Sequence, residues 1–307
     1  MLATFGETVL QLSSPRDRLA AAHRLRVAAT GPESNAAIAA RALGTDARWY
    51  SVLPDSSLGE RVVRELRGYD IDTRVTYRAG RQGLSFVEPG AAPREPERVE
   101  DRAGSALARA EEGDLTFESL EAATGAYVTG ATPGISTPLA AATARFLKGA
   151  HDAGAHTAFG LHYRPERWAP EEARETLSGL FPAVDTFIAH RADVATVFDR
   201  DGPPAEAANA LAAAHGFDTV VLVGRGDVTA LAASTLYEAS IPEGEVVDTT
   251  GADDALAGAF LAARLQGAGV ERALRHAAAA CALARSLAAP VPDLSRASVE
   301  RVARELE

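Results

Sequence analysis

Cysteine and lysine are almost absent from the sequence, and each shortage narrows the chemistry open to the protein. The single cysteine among 307 residues, Cys281, excludes an intramolecular disulfide and a metal site built from clustered cysteines. Of the 31 basic residues only Lys148 is a lysine, and its surroundings indicate a solvated helix end. Lysine-centred chemistry, including the phosphate-binding lysine of a Walker A loop, is therefore excluded.

Long hydrophobic runs and an excess of positive charge are also missing. No window approaches about 18 consecutive apolar residues, so we expect no membrane-spanning helix and no membrane partner. Residues 1–7 lack the basic start and apolar run of a secretion signal, and we therefore expect a cytoplasmic location. The chain carries 31 basic against 42 acidic residues, a net charge of −11. Binding along a nucleic-acid backbone needs the opposite sign, so we expect no nucleic-acid partner.

The apolar content is sufficient for a large core. Hydrophobic residues make up 47% of the chain and charged residues 24%, which is typical of a globular protein and argues against disorder. Short β-rich runs alternate with amphipathic stretches, such as the helix that Leu58, Val62 and Leu66 predict and that ends near Gly68. The alternation predicts an α/β protein with a mostly parallel sheet. The predicted strands are 47–53, 126–129, 157–161, 186–189 and 219–223.

Two segments, 10–29 and 77–102, interrupt this alternation with strand-like fragments and turns. They could come together as a small β subdomain over the sheet, where such an accessory sheet commonly serves as a lid. A surface hairpin is the alternative. No composition break divides the chain, so we expect one domain over residues 1–307 with the lid inserted into it.

The stretch 247–260, Val-Asp-Thr-Thr-Gly-Ala-Asp-Asp-Ala-Leu-Ala-Gly-Ala-Phe, is the most informative one. It opens a helix that is apolar nearly all round and is therefore predicted to be buried. The free N–H groups and partial positive charge of a helix N-terminus favour an anion. Asp254, in the first turn, is placed to take a proton from a hydroxyl that attacks phosphorus. The alternative is that Asp248, Thr249 and Asp254 only cap the helix.

The whole pattern resembles the Asp-Thr-x-Gly-Ala-Gly-Asp motif of the PfkB-type carbohydrate kinases, the ribokinase family. The resemblance implies a ribokinase-like fold, with helices on both faces of the sheet and a small β lid. It also implies an anion hole at Gly251, Ala252 and Asp253 and a catalytic base at Asp254. Asp253 stands where the family has glycine, and a carboxylate beside a triphosphate is repulsive.

A second motif of this family is resembled by residues 31–44, Gly-Pro-Glu-Ser-Asn-Ala-Ala-Ile-Ala-Ala-Arg-Ala-Leu-Gly. The resemblance implies that Gly31 and Asn35 face the sugar. Asn35 could equally be the N-cap of a helix. The glycine, the asparagine and the Leu-Gly ending fall in register, and the resemblance then extends over nearly the whole chain.

Within the family the resemblance is closest to the 2-keto-3-deoxygluconate kinases. It implies that Arg102 and Arg164 bind the substrate carboxylate, which suits arginine because its planar fork can hold two oxygens at once. Any one of the many arginines is otherwise more often a surface residue. The stretches that carry the resemblance are 5–13, 101–106, 129–136 and 163–168.

Several positions depart from the pattern of these kinases on the sugar side. The family's Asp-x-Asn-Tyr-Arg appears as Gly-Leu-His-Tyr-Arg, so that Gly160 replaces an acid and His162 replaces an asparagine. Ser85 and Glu100 stand where tyrosines are usual. The resemblance still implies that Ser85 and His162 line the sugar pocket.

The nucleotide side departs as well. The Asn-x-x-Glu motif that organises magnesium becomes residues 190–193, in which Asp193 is the remaining acid and candidate metal ligand. Gly224 and Gly226 are the expected nucleotide-binding glycines, and Asp227 follows where the family prefers glycine. Glycine-rich turns at strand ends are common without any nucleotide, so this loop is a weak signal alone.

These observations predict an ATP- and Mg²⁺-dependent kinase that phosphorylates 2-keto-3-deoxygluconate or a related acidic keto sugar. Its partner would be this small-molecule substrate, and the resemblance also implies a homodimer through the lid. Two alternatives stay open. One is a kinase-like protein that binds a sugar or nucleotide without phosphorylating it, and the other is a kinase for a neutral sugar or a nucleoside.

Overall fold

Two β-sheets organise the protein in a computed structural model, which describes residues 1–14, 17–88, 90 and 96–306. The larger sheet has nine strands in the order β13-β12-β11-β10-β9-β8-β1-β4-β5, and the smaller has four in the order β3-β2-β6-β7. The strands are β1 Leu2–Phe5, β2 Val9–Ser13, β3 Arg26–Thr30, β4 Ala47–Pro54, β5 Asp72–Arg78, β6 Leu84–Glu88, β7 Glu97–Asp101, β8 Gly125–Thr129, β9 His156–Gly160, β10 Thr186–His190, β11 Thr219–Val223, β12 Asp227–Ala232 and β13 Thr235–Ser240.

The larger sheet is parallel from β5 to β11, and an antiparallel hairpin of β12 and β13 is added to one edge. All five strands predicted from the sequence are present, with ends that differ by one residue at most. The hairpin turns at Ala233 and Ser234, whose φ angles are +46° and +63°. Such turns usually carry glycine or asparagine, so the alanine and serine gave no hairpin signal.

Within the described residues the α-helices cover both faces of the larger sheet, which confirms the predicted α/β architecture. Side chains alternate along the strands, so that Val220 and Leu222 pack on one side and Val221 and Val223 on the other. Helices α3 to α6 lie on the first side, and α1, α2, α7, α8 and α9 lie on the second. The helices are α1 Pro32–Ala42, α2 Ser57–Gly68, α3 Thr137–Asp152, α4 Pro170–Ser178, α5 Arg191–Phe198, α6 Pro204–His215, α7 Ala252–Leu265, α8 Val270–Arg285 and α9 Arg296–Arg304.

The smaller sheet draws its strands from two separate parts of the chain. Strand β2 pairs with β3 antiparallel and with β6 parallel, and β6 pairs with β7 antiparallel. These strands lie in or at the edge of segments 10–29 and 77–102, although residues 77–78 belong to β5 of the larger sheet. Residues 15, 16, 89 and 91–95 of the predicted lid lie outside the described residues.

The two scarce residue types, lysine and cysteine, both lie in helices. Lys148 lies in the last turns of α3, where its ammonium contacts Asp152 at 2.6 Å on the surface, as the sequence predicts. Cys281 is a free, buried thiol in α8. Among the helices of the described residues, we find none with the length and apolar character needed to cross a membrane.

Candidate active site

A cluster of polar side chains lies at the carboxyl ends of the parallel strands, where open α/β sheets place their ligands. The smaller sheet borders the same cluster, because Glu7, which follows β1, contacts Arg102, which follows β7. The other contributors come from the ends of β9 and β10 and from the first turns of two helices; they are His162, His190, Asn35 and Asp254.

The turn before α7 is shaped as a cradle for an anion. Gly251 is the N-cap residue with φ +77°, and a Cβ there would lie 2.7 Å from the carbonyl oxygen of Pro290, so glycine is required. Within the described part of the chain, the backbone N–H groups of Gly251, Asp253 and Asp254 make no hydrogen bond. The predicted donor Ala252 differs, since its N–H donates to the Thr249 carbonyl at 3.2 Å. The free donors are therefore those of residues 251, 253 and 254.

Asp254 is a buried carboxylate at the edge of this cradle, with 7% of the residue exposed. Its Oδ2 accepts a hydrogen bond from Asn35 Nδ2 at 2.9 Å, and its Oδ1 lies 3.6 Å from His162 Nε2. Burial raises the pKa of Asp254 to about 7; the Asn35 hydrogen bond opposes the rise, and the charges of Asp253 and Glu33 add to it. A carboxylate with such a pKa is suited to accept a proton near neutral pH.

The interpretation of Asp254 as a helix cap is wrong. Gly251 occupies the cap position, and no side chain among the described residues caps α7. Asp248 has a different local role, because its Oδ1 accepts a hydrogen bond from the N–H of Thr250 at 2.8 Å and closes the turn.

Asn35 is likewise not an N-cap, since Gly31 takes that position in α1. The Asn35 Nδ2 lies within 3.0 Å of the Thr30 hydroxyl, the Pro290 carbonyl and Asp254, and so joins α1 to α7. Its Oδ1 is buried and has no hydrogen-bond partner among the described residues. A Cβ at Gly31 would clash with the carbonyl oxygen of Glu7.

Two predicted residues, His162 and Arg164, follow β9. His162 has φ +38°, and burial, then the charge of Arg164, lowers its pKa to about 3, so the imidazole is neutral. Arg164 is exposed and forms no ion pair with the described residues, yet its charge acts on both His162 and Asp254. An unpaired guanidinium beside the candidate base is available for an anionic substrate group.

The second predicted carboxylate ligand, Arg102, is already paired. Its guanidinium contacts Glu100, and its Nη1 lies 3.3 Å from Glu7 Oε2. Glu7 in turn accepts a hydrogen bond from the Ser105 hydroxyl at 2.8 Å. Arg102 therefore has much of its charge offset. The predicted pocket residue Ser85 is fully buried beside this cluster and donates to Glu100 at 3.3 Å.

Arg98 belongs to the same cluster but was missed by the sequence analysis. From β7 it contacts the Ser85 hydroxyl and the Thr250 hydroxyl, both at 3.2 Å, and thereby connects the smaller sheet to the cradle before α7. Residues two apart in a strand share a face. Arg98, Glu100 and Arg102 follow that spacing and are therefore expected on one face of the strand. Because Glu100 and Arg102 were already assigned to the pocket, the spacing could have identified Arg98 as well.

Two ion pairs lie on the nucleotide side of the cluster. His190 Nε2 donates to Asp253 Oδ2 at 2.7 Å, and Arg191 pairs with Asp227. Burial raises the pKa of Asp253, but the hydrogen bond and charge of His190 outweigh it, and the net shift is downward. Asp253 therefore contributes an ionised, paired carboxylate.

The predicted nucleotide loop is a turn between β11 and β12. The Gly224 N–H donates to the Asp227 carbonyl, and the Gly226 carbonyl accepts from Ile241. Nearby, burial raises the pKa of Asp193, and the Tyr163 backbone donates a hydrogen bond to it. The described residues contain no group of three or more histidine, cysteine, aspartate or glutamate side chains that could hold a metal.

A buried base beside free helix N–H groups, at the carboxyl ends of the strands of an α/β sheet, is suited to phosphoryl transfer. Residues 1–293 match the model of the pfkB family carbohydrate kinases. The chain therefore belongs to this family and is a carbohydrate kinase with the predicted ribokinase-like fold. The kinases of this family use ATP.

Individual relatives match this chain over nearly its whole length. The chain is 40% identical to a 2-dehydro-3-deoxygalactonokinase of Haloferax volcanii, over 99% of this chain and 96% of the relative. A crystal structure of a 2-dehydro-3-deoxygluconokinase from Thermotoga maritima is 28% identical, covers 99% of this chain and 98% of its own, and superposes with a TM-score of 0.94. An Escherichia coli protein assigned as a ribokinase II, in complex with ATP and Mg²⁺, shares the fold at 19% identity, with a TM-score of 0.89 and coverage of 99% of both chains.

Proposed function

We propose that the protein transfers a phosphoryl group from ATP to a hydroxyl of a 2-keto-3-deoxy sugar acid, the gluconate or the galactonate form. The observation that carries the proposal is Asp254, which is buried, has a pKa of about 7 and lies in the same helix turn as free N–H groups. The activities of the Haloferax volcanii and Thermotoga maritima relatives support the substrate class.

Each side chain of the cluster has a defined task in this proposal. Asp254 accepts the proton of the sugar hydroxyl as its oxygen attacks the γ-phosphorus, and Asn35 Oδ1 accepts a hydrogen bond from the sugar. The N–H groups of residues 251, 253 and 254 stabilise the charge of the transferred group. Closure of the smaller sheet over the sugar would keep water from taking the phosphoryl group.

Arg164 is the better placed of the two candidate ligands of the substrate carboxylate. It is exposed and has no ion-pair partner among the described residues, whereas Arg102 is held by Glu7 and Glu100. A bidentate contact from Arg164 would orient the acid end of the sugar. Arg102 would complete the pocket from the smaller sheet.

The site fits a magnesium ion that takes most of its ligands from water and the substrate phosphates. Mg²⁺ keeps several waters and is held by one or two carboxylates and by substrate phosphates, so a cage of protein ligands is not required. Asp193 is the residue of this chain that would help to hold it, since its part-buried carboxyl has no side-chain partner within the described residues. When bound, the ion would neutralise charge on the β- and γ-phosphates.

A panel of substrates tests the proposal. The purified protein, with ATP and Mg²⁺, is expected to phosphorylate 2-keto-3-deoxygluconate or 2-keto-3-deoxygalactonate with a kcat/KM at least about a hundredfold above that for fructose, ribose or a nucleoside. Coupled ADP release measures turnover, and mass spectrometry identifies the product. Preference for a neutral sugar would overturn the substrate class.

One observation favours the neutral-sugar alternative. Glu7 and Glu100 offset the charge of Arg102, so the pocket is less cationic than two free arginines would make it. Binding without turnover across the whole panel would favour the non-catalytic alternative instead. A cytoplasmic location, the absence of nucleic-acid and membrane partners, and a homodimer through the lid stay predictions.

A further inference from the structure

His190 and Asp253 form a charge pair beside the anion cradle, although they lie 63 positions apart in the sequence. The histidine ends β10 and the aspartate is the second residue of α7. We propose that His190 is a positioning residue of the kinase, which holds the Asp253 carboxylate and offsets its charge so that the α7 N-terminus can accept the transferred phosphoryl group. This inference rests on the proposed function.

The need for such a residue follows from the charges around the cradle. Asp253 and Asp254 are adjacent, and Glu33 and Asp193 also act electrostatically on this pair. An unpaired carboxylate about 5 Å from a phosphoryl group would weaken its binding on the order of a hundredfold at a partly screened site. The free N–H groups alone would not offset that repulsion, because a helix N-terminus carries only about half a positive charge.

The geometry shows how the charge is offset. Successive positions of a helix are rotated by about 100°, so the two carboxylates leave α7 in different directions. Asp254 is directed to Asn35, while Asp253 is directed to the end of β10 and meets His190 Nε2 at 2.7 Å. Both partners of this second contact are little more than one third exposed, so the interaction is only partly screened.

A neighbouring pair repeats the arrangement independently. Arg191, the next residue, pairs with Asp227, the first residue of β12. The two acids occupy the places at which the family motifs have or prefer glycine. His190 and Arg191, which are consecutive at the end of β10, therefore each pair with one of these two acids. The hydrogen bond to Asp253 raises the pKa of His190, which favours the charged form of the pair.

A double-substitution cycle tests the proposal. We compare His190→Ala in the wild-type background with His190→Ala added to Asp253→Gly, and measure kcat and KM for ATP and for the sugar. In the wild-type background His190→Ala is expected to lower kcat/KM for ATP about tenfold to a hundredfold, while the KM for the sugar changes less than about threefold. In the Asp253→Gly background the same change is expected to cost less than about threefold, because no carboxylate is left to offset.

Equal losses in the two backgrounds, or no loss in either, would overturn the proposal. His190→Asn gives a second uncharged variant if the alanine variant unfolds below the assay temperature, and the same loss specific to ATP is expected. His156→Ala is the matched control, since His156 lies 3.6 Å from Asp185 at the opposite end of the sheet. Its KM for ATP is expected to equal that of the wild type.

Calorimetry with a non-hydrolysable ATP analogue separates this proposal from the proposed function. Weaker binding of the analogue by His190→Ala, suppressed by Asp253→Gly, would support the pair even if no sugar on the panel were phosphorylated. Unchanged binding together with normal sugar turnover would reject the pair and leave the kinase assignment intact.

Discussion

Asp253 and Asp254 are neighbours in the first turn of α7, yet their environments are opposite. Asp254 is buried, its polar partner is the neutral amide of Asn35, and its pKa rises to about 7. Asp253 is partly exposed, hydrogen-bonds to His190, and its pKa falls despite burial that raises it. Adjacent carboxyl groups with diverging pKa values take different chemical roles. Here Asp254 is fitted to accept a proton, whereas Asp253 is fitted to stay ionised and paired.

The comparison also separates the sugar side of the turn from the nucleotide side. On the sugar side the groups that contact Asp254 are uncharged, since His162 is neutral and Asn35 is an amide, while the charged Arg102 is paired with Glu7 and Glu100. On the nucleotide side the groups are charged and paired, through His190 with Asp253 and Arg191 with Asp227. Burial therefore raises the pKa of Asp254, whereas ion pairing lowers the pKa of Asp253.

Asp254→Asn is expected to give the largest effect. Loss of the base should lower kcat about a thousandfold or more, and Asp253→Asn should lower it far less because that carboxylate transfers no proton. Stopped-time ADP assays on both variants measure the difference. Comparable losses in the two variants, or full turnover in Asp254→Asn, would remove the distinction between the two aspartates.

The same substitution has a consequence for stability. The folded-state pKa of about 7 lies above the ordinary value of 3.8 for an aspartate, so the folded protein binds more protons than the unfolded chain between these values. Stability contributed by the protonated Asp254 is therefore lost as pH rises from about 4 to about 7. We expect Asp254→Asn to melt at a higher temperature than the wild type at pH 8, and at a similar temperature at pH 4.

Arg164→Ala tests the sugar side with a smaller expected effect. Removal of an exposed guanidinium that forms no ion pair within the described part of the chain should raise the KM for an acidic sugar about tenfold to a hundredfold, and change the KM for a neutral sugar little. Arg174→Ala is the control, because Arg174 pairs with Asp199 on the surface of α4. Equal effects on acidic and neutral sugars would contradict a carboxylate contact.

Asn35→Ala tests whether the Asn35 amide lowers the pKa of Asp254. The wild-type kcat/KM is expected to rise with pH through about 7 as Asp254 ionises. Asn35 lowers the pKa of Asp254 by its hydrogen bond, so its removal should move this rise to higher pH and reduce the rate at pH 7 several-fold. A pH profile from 5 to 9 measures the shift, and an unchanged midpoint would show that the amide does not tune the base.

The sequence was sufficient for the parts of the fold and site that depend on local patterns. The runs at 157–161 and 219–223 are apolar enough to identify buried parallel strands, and the motif around Asp254 identifies the helix and its cradle. The hairpin of β12 and β13 was missed because Ala233 and Ser234 adopt left-handed conformations without glycine.

Contacts between distant segments could not be predicted from the sequence. Asp253 was expected to repel a triphosphate, and its partner His190 could not be identified because the pair forms only when α7 and β10 meet at one sheet edge. The offset charge of Arg102 has the same origin, since Glu7 belongs to another strand end. Arg98, by contrast, was accessible from the two-residue spacing of β7.

Tyr127→Phe is expected to have the smallest effect. It tests why glycine stands at position 160, where the family has an acidic residue. A Cβ at Gly160 would clash with the Tyr127 hydroxyl, so this tyrosine from β8 fills the space that an acidic side chain would need. The hydroxyl is fully buried near the Asp254 charge and has no hydrogen-bond partner among the described residues. Its removal should stabilise the fold by about 1 kcal/mol and raise the melting temperature by about 2 °C. Gly160→Ala should destabilise the wild type and be tolerated better beside Phe at position 127, and equal costs in both backgrounds would show that another group limits the space.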